Sequence, residues 1–180
     1  MITPAPLQTT YIQYEPVAQL GTVATMANFN IDARIADDVA GTGIGFGIAV
    51  CQGGTHGDKS VAVGETSGSV FVGITLADPT LPNLSNLAGQ FTDKYSDSDN
   101  CNVLTLGDVW VAPATAVAIG TQGYFNSVTG ALGASTISNA VAIAGSRWET
   151  HLPRPAGELV TFSGLAVLRL GIMSKSYKLA

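Results

Sequence analysis

The residues that could do chemistry sit first in Gly53-Gly54-Thr55-His56-Gly57-Asp58-Lys59-Ser60, a run that ends like a phosphate-binding loop. Counting back from Lys59-Ser60, Asp58 stands where such a loop needs a glycine, and a carboxylate there repels phosphate. The flanking segments also read as strands, with no following helix to aim its N-terminus at an anion. The run is therefore expected to be a flexible hairpin tip. Gly41, Gly43, Gly45 and Gly47 do not make a dinucleotide fingerprint either, because Phe46 interrupts the spacing and no strand-helix-strand unit surrounds them.

His56 and His151 are the only histidines, and no His, Cys or carboxylate accompanies either at a metal-ligand spacing, so no zinc site is expected. Asp93, Asp97 and Asp99 could chelate calcium with backbone carbonyls, yet the glycine and terminal glutamate of an EF-hand are missing, and a solvated acidic loop is the simpler reading. No G-x-S-x-G elbow occurs. Cys51 and Cys101 lack any CxxC context and read as buried thiols, with a single bridge left open. The pattern nominates no catalytic residue, no cofactor site and no metal site, so the expectation is a protein that is not an enzyme.

Bulk properties point to assembly. The chain has 180 residues, enough for one domain with a real core. Charged residues make up 12% of it, against about 25% in an average soluble domain. With a mean hydropathy of +0.31, so neutral a surface implies contact with partners. A net charge of -5 with scattered Lys and Arg excludes duplex nucleic acid as partner, since phosphate neutralisation needs clustered cations. Arg169, Lys175 and Lys178 give the end a mildly basic character, read as solvated or partner-facing. The uncharged stretch from Val109 to Ser146 is broken by Pro113 and several glycines and polar residues, which argues against a membrane span. Met1 to Leu20 has neither a basic n-region nor an apolar core, so a secretion signal is not expected.

The elements that must position any site are strands. Ile44, Phe46, Ile48 and Val50 alternate with small residues, putting large side chains on one face. Further runs lie at Val61 and Val63, Val70 to Leu76, Val103 to Leu106, Val109 to Val111, Ala116 to Ile119, Gly123 to Phe125, Ala140 to Ile143 and Leu165 to Leu170. Gly64 to Gly68 supplies one turn, Gly107-Asp108 reads as a tight turn, and Asn126 to Gly130 reads as a hairpin connection toward Ala131 and Leu132. Ile31 to Val39 is the one place where two helical turns would fit. Trp110 and Trp148 are expected in the core. The expected fold is all-β: a small barrel or sandwich of short strands with a long loop and an extended N-terminal arm.

Residues 1–20 form that arm and 21–180 the single domain, with a long loop at 78–102. The Pro-bounded arm carries Tyr11 and Tyr14 as aromatic handles. The loop carries Leu81, Leu84, Leu87, Phe91 and Tyr95, and a segment of this length in a compact domain is usually functional or disordered. Tyr11, Tyr14, Leu84, Leu87, Phe91 and Tyr95 are thus the candidate partner contacts.

Three stretches carry a family resemblance: "IGFGIAV" at Ile44 to Val50, "FVGITL" at Phe71 to Leu76 before the long loop, and "VLTLGDVWVAPATAVAIG" at Val103 to Gly120. Together they resemble the structural cement or decoration proteins of tailed bacteriophages, whose pattern runs from an early G-x-G strand through a "VG" strand to "GxVWV", "VxxGxxVY" and an Asn/Gly hairpin. Gly107 to Val111 and Val117 to Phe125 fit it, with Gly123-Tyr124 replacing the usual pair. The resemblance implies a small β-barrel, no cofactor, and a homo-oligomer, often a trimer, that binds the major capsid protein on the outer surface of the virion. Synthesis in the host cytoplasm goes with it, without membrane or nucleic acid as partner. The rival expectation is a carbohydrate- or receptor-binding β domain of a tail or fibre, for which Tyr95 to Asn102 would be the binding face.

Overall fold

The computed structural model describes residues 18–26, 28–38, 41–64, 70–78, 94–149 and 165–171. Among them the regular elements are all strands: β1 (Asn30–Ala36), β2 (Ile44–Gly45), β3 (Ala49–Gln52), β4 (Ser60–Ala62), β5 (Phe71–Thr75), β6 (Lys94–Tyr95), β7 (Asn100–Val111), β8 (Tyr124–Asn126), β9 (Leu132–Gly133), β10 (Ala140–Ala142), β11 (Arg147–Glu149) and β12 (Ala166–Leu170). Short strands punctuated by turn formers cannot bury much alone, and the chain solves this by closing a sheet on itself.

Strands β1, β4, β3, β5 and β7 follow one another, and β7 pairs back onto β1, which closes a five-stranded barrel. The β1–β4 contact is parallel, with Ile35 opposite Ser60. The other barrel contacts are antiparallel, including Ala33 opposite Asn102 and Ile74 opposite Leu104. The second half of β7 leaves the barrel and pairs with β12, which pairs with β11. A three-stranded sheet in the order β10-β8-β9 and the small β2–β6 pair complete the set.

Strand β7 is long enough for both tasks because Gly107 bends it. Gly107 has φ of 122°, and a Cβ there would lie 2.9 Å from the Cβ of Phe29. The expected tight turn at Gly107-Asp108 is thus a kink, and the chain keeps its direction through it. Two further expectations change. Of the stretch Ile31 to Val39, residues 31–36 belong to β1 and form no helical turn, because the alternation of Ile31, Ala33 and Ile35 is spent on pairing with β7, while Val39 lies outside the described residues. Ala116 to Ile119 forms no strand. The stretch read as a loop to Asn102 contains β6 and the first residues of β7, whereas its residues 79–93 lie outside the described ones.

The hairpin at Asn126 to Gly130 forms as expected: Phe125 opposes Leu132, and the Asn126 side-chain oxygen accepts from the amides of Val128 and Thr129. Ile44 to Val50 breaks into β2 and β3, yet its alternation survives. Ile44 and Val50 are buried in one apolar cluster with Phe46 and Ile48 packed on it, while Ala49 faces the other cluster.

Those two clusters divide the interior. The barrel holds small and medium side chains, namely Ala36, Val50, Val61, Cys101 and Val103, together with Ile44 and Tyr95. Beside it, a larger cluster includes Trp148, Phe125, Leu132, Ile143 and Leu168 under β7, β11 and β12. Trp110 and Trp148 are both buried. Cys51 and Cys101 are buried as thiols, one in each cluster.

Arg169 belongs to the sheet, not to a basic tail. Its Nε donates to Asp108 Oδ1 at 2.7 Å and one terminal nitrogen reaches Glu149 Oε2 at 2.7 Å, joining β7, β11 and β12. The hydrogen bonds to Asp108 outweigh the opposing effect of partial burial and raise the Arg169 pKa further. Lys175 and Lys178 lie outside the described residues.

Candidate functional site: two ends of the barrel

Strand β1 runs between two surfaces of different character. Seven residues of strand span about 23 Å. At its start the chain carries Met26, 84% exposed, followed by Phe29 and Ile31, both about two-fifths exposed. This segment is fixed by β7. Val23 bridges Val109, the Ala24 amide donates to the Asp108 carbonyl at 2.7 Å, and the Thr25 hydroxyl donates to Asp108 Oδ2 at 2.9 Å. Three large apolar side chains within six positions are thus held at the surface next to the Gly107 kink. Sequence reading passes over them because Met26 and Phe29 fall outside every strand run it picks out and Ile31 opens the segment it reads as two helical turns. Leu20, Val70 and Val128 are also exposed.

At the other end of β1 the chemistry is polar. The Asp37 amide donates to the Val61 carbonyl at 2.8 Å, which turns its side chain toward the β3–β4 hairpin tip. Asp37 Oδ2 accepts from the amides of Gly54 at 3.1 Å and Thr55 at 2.8 Å. Gly53 makes this approach feasible, since a Cβ there would lie 2.9 Å from Asp37 Oδ2 and 2.7 Å from Ser60 Oγ. The hairpin tip is expected from sequence, but it is tied down. The amides with which such a loop would cradle an anion hold the protein's own carboxylate.

The β6–β7 turn completes this end. Asp97 Oδ1 accepts from the Asp38 amide at 3.0 Å and lies 3.1 Å from His56 Nε2, with Ser98 Oγ 3.4 Å from the same nitrogen. Asp37, His56 and Asp97 each bring one ligand-capable atom within 4.8 Å of the others. Burial alone would raise the Asp37 pKa, but the hydrogen bonds from Thr55 and Gly54 and the nearby imidazole outweigh it and hold the carboxyl below its usual value. The Asp38 amide and His56 lower Asp97 likewise. Asp93 lies outside the described residues, and Asp99 Oδ2 accepts from the Ser96 amide at 2.6 Å, so Asp97 finds its partner across the fold in His56.

Of the residues expected to touch a partner, Tyr11, Tyr14, Leu84, Leu87 and Phe91 lie outside the described residues. Tyr95 does not anchor the loop on a neighbour. It is fully buried, its ring stands edge-on to Phe46 with centroids 5.2 Å apart, and its hydroxyl donates to the Leu76 carbonyl at 2.6 Å. A pairing partner in β2 and the apolar interior of the barrel draw it inward. The same burial removes Tyr95, and with it Cys101, from the face that a glycan would need.

Residues 7–171 match the family described as structural cement protein (E217 gp24/Pam3 gp6). The chain belongs to the structural cement protein family. Its role is accordingly that of a capsid-associated structural protein of a phage, and membership of this family implies structural, not enzymatic, work. No curated protein matches the chain. Among solved structures, a chain of the capsid of Myoviridae phage XM1 is similar, with a TM-score of 0.64 at 16% identity over 93% of this chain and 99% of that one. At this identity the likeness bears on the fold, and it agrees with the barrel and its flanking sheet.

Proposed function

We propose that this cement protein binds the outer surface of the capsid as a homo-oligomer, with three copies as the simplest assembly, and ties together neighbouring major capsid protein subunits at their junctions. The family match across 7–171 carries this reading. The apolar side chains of Met26, Phe29 and Ile31 support it. They lie just after the proposed N-terminal arm, residues 1–20, and extend the surface that Tyr11 and Tyr14 would present. The excursion 78–102 offers Leu84, Leu87 and Phe91 to the same partner from the single domain, 21–180.

A protein that contacts two subunits only in the assembled shell stabilises that shell by mass action, because every bound copy must dissociate before the junction can open. Several weak contacts on one oligomer hold far more tightly than any of them alone. Neither a cofactor nor a nucleic acid or membrane enters this mechanism. The site of action is the virion exterior, after synthesis in the host cytoplasm.

Co-sedimentation with capsids that lack the protein, combined with light scattering, tests the reading. Saturable binding by an oligomer of defined mass is expected, and deletion of residues 1–16 should abolish binding while the far-UV spectrum and melting transition persist. A monomer that does not sediment with capsids would overturn the proposal, and undiminished binding by the truncated chain would remove the arm from it.

A further inference from the structure

The polar end of the barrel contains a feature that capsid binding leaves unexplained. Asp37 is only 6% exposed, and its Oδ1 is buried without a hydrogen-bond partner, whereas Oδ2 has two. An ionised carboxylate oxygen left unmatched in a buried place is costly, and in native proteins such an atom calls for a water or an ion. Here the same carboxylate stands beside an imidazole and a second carboxylate, drawn from three separate elements: the end of β1, the β3–β4 tip and the β6–β7 turn.

We infer that Asp37, His56 and Asp97 form a binding site for a divalent first-row transition-metal ion of the zinc class. The donor set decides the class. Calcium and magnesium take oxygen ligands, whereas an imidazole with carboxylates suits zinc and its neighbours. Zinc bonds of about 2.0–2.2 Å would set the three donor atoms roughly 3.5 Å from one another, a small shift from a present spacing within 4.8 Å. His56 and Asp97 are already in contact at 3.1 Å. The remaining coordination position is open to water or to a group from outside the chain. Bound metal would clamp the hairpin tip and the β6–β7 turn onto the end of β1, closing that end of the barrel.

The inference stands apart from capsid binding and is tested on the purified, tag-free chain. Equilibrium dialysis against Zn2+, followed by metal counting, should retain one ion per chain. Zn2+ at a hundredfold excess over its dissociation constant should raise the melting temperature by about 5–10 °C. Asp37→Asn, His56→Gln and Asp97→Asn should each weaken retention more than tenfold, and His151→Gln should leave it unchanged. His56 is partly exposed, so His56→Gln keeps the test valid even if Asp37→Asn unfolds the chain. Cobalt bound in place of zinc should show a d–d spectrum that His56→Gln removes. No stoichiometric retention by the full chain, or retention that survives His56→Gln, would overturn the site.

Discussion

The barrel and the sheet that flanks it are built from the same kinds of short strand but hold themselves together differently. The flanking sheet relies on large side chains. Trp148, Phe125, Leu132 and Leu168 are each about 1% exposed or less, and its outer rim is closed by the Arg169 ion pairs with Asp108 and Glu149. The edge of β11 is also covered, since the Trp148 amide donates to Thr121 and its carbonyl accepts from Gly120. The barrel relies on closure, with smaller residues inside, and leaves its two ends chemically unfinished: apolar side chains at one, an unmatched carboxylate oxygen at the other. A fold can separate stability from recognition in this way, with the flank bearing the packing energy and the barrel ends left for the partners proposed above.

The largest effect is expected at Trp148. Trp148→Ala should cost about 3–5 kcal/mol, by loss of transfer energy and the cavity left behind. Trp148→Phe should cost far less, about 1–1.5 kcal/mol, because it keeps most of the volume and removes an indole N–H that is buried without a partner. Urea unfolding measures both. Equal losses for the two variants would mean that packing is not what the flank contributes.

The barrel end should behave in the opposite way. Met26→Ser, Phe29→Ser and Ile31→Ser combined should cost about 2–3 kcal/mol in urea unfolding, less than Trp148→Ala, since Met26 is largely exposed and Phe29 and Ile31 are about two-fifths exposed, and should weaken capsid co-sedimentation about a hundredfold, roughly 2.7 kcal/mol. A collapse in stability with these substitutions would show that the strip is part of the core.

The smallest effect concerns the barrel interior. Burial, with Asp99 nearby, pushes the Cys101 thiol up from 9.0 to about 12. The folded chain therefore keeps its proton where the unfolded chain releases it. The stability tied to Cys101 is complete below about pH 9 and declines as pH rises from there toward 12. Burial raises the Tyr95 hydroxyl as well, which steepens the decline above pH 10. A melting series from pH 7 to 11 should show this fall, and Cys101→Ala should flatten its first part. The thiol should also resist alkylation at pH 8 until the chain unfolds.

Much of the strand pattern was legible because period-two alternation and turn residues are local signals. The Asn126 to Gly130 hairpin and the core placement of both tryptophans followed from them. What escaped depends on distant partners. Gly107-Asp108 has turn-forming residues, yet pairing with β1 before it and β12 after it keeps the strand continuous through the kink. Arg147-Trp148-Glu149 is too short to announce a strand until Leu168 lies opposite Trp148. Tyr95 looked like a loop aromatic because nothing local shows that β2 pairs with β6. Asp37, His56 and Asp97 come from three separated segments, and spacing along the chain carries no trace of their meeting.

In the proposed assembly the chain sits outside the shell across junctions between capsid subunits, with the Met26, Phe29 and Ile31 end of the barrel toward the shell. Electron cryo-microscopy of capsids decorated with the purified protein tests it most directly. Density is expected on the outer surface over subunit junctions, arranged as copies of one oligomer, with the start of β1 facing the capsid protein. Density on the inner surface, or centred on a single subunit with the β11–β12 flank toward the shell, would contradict it.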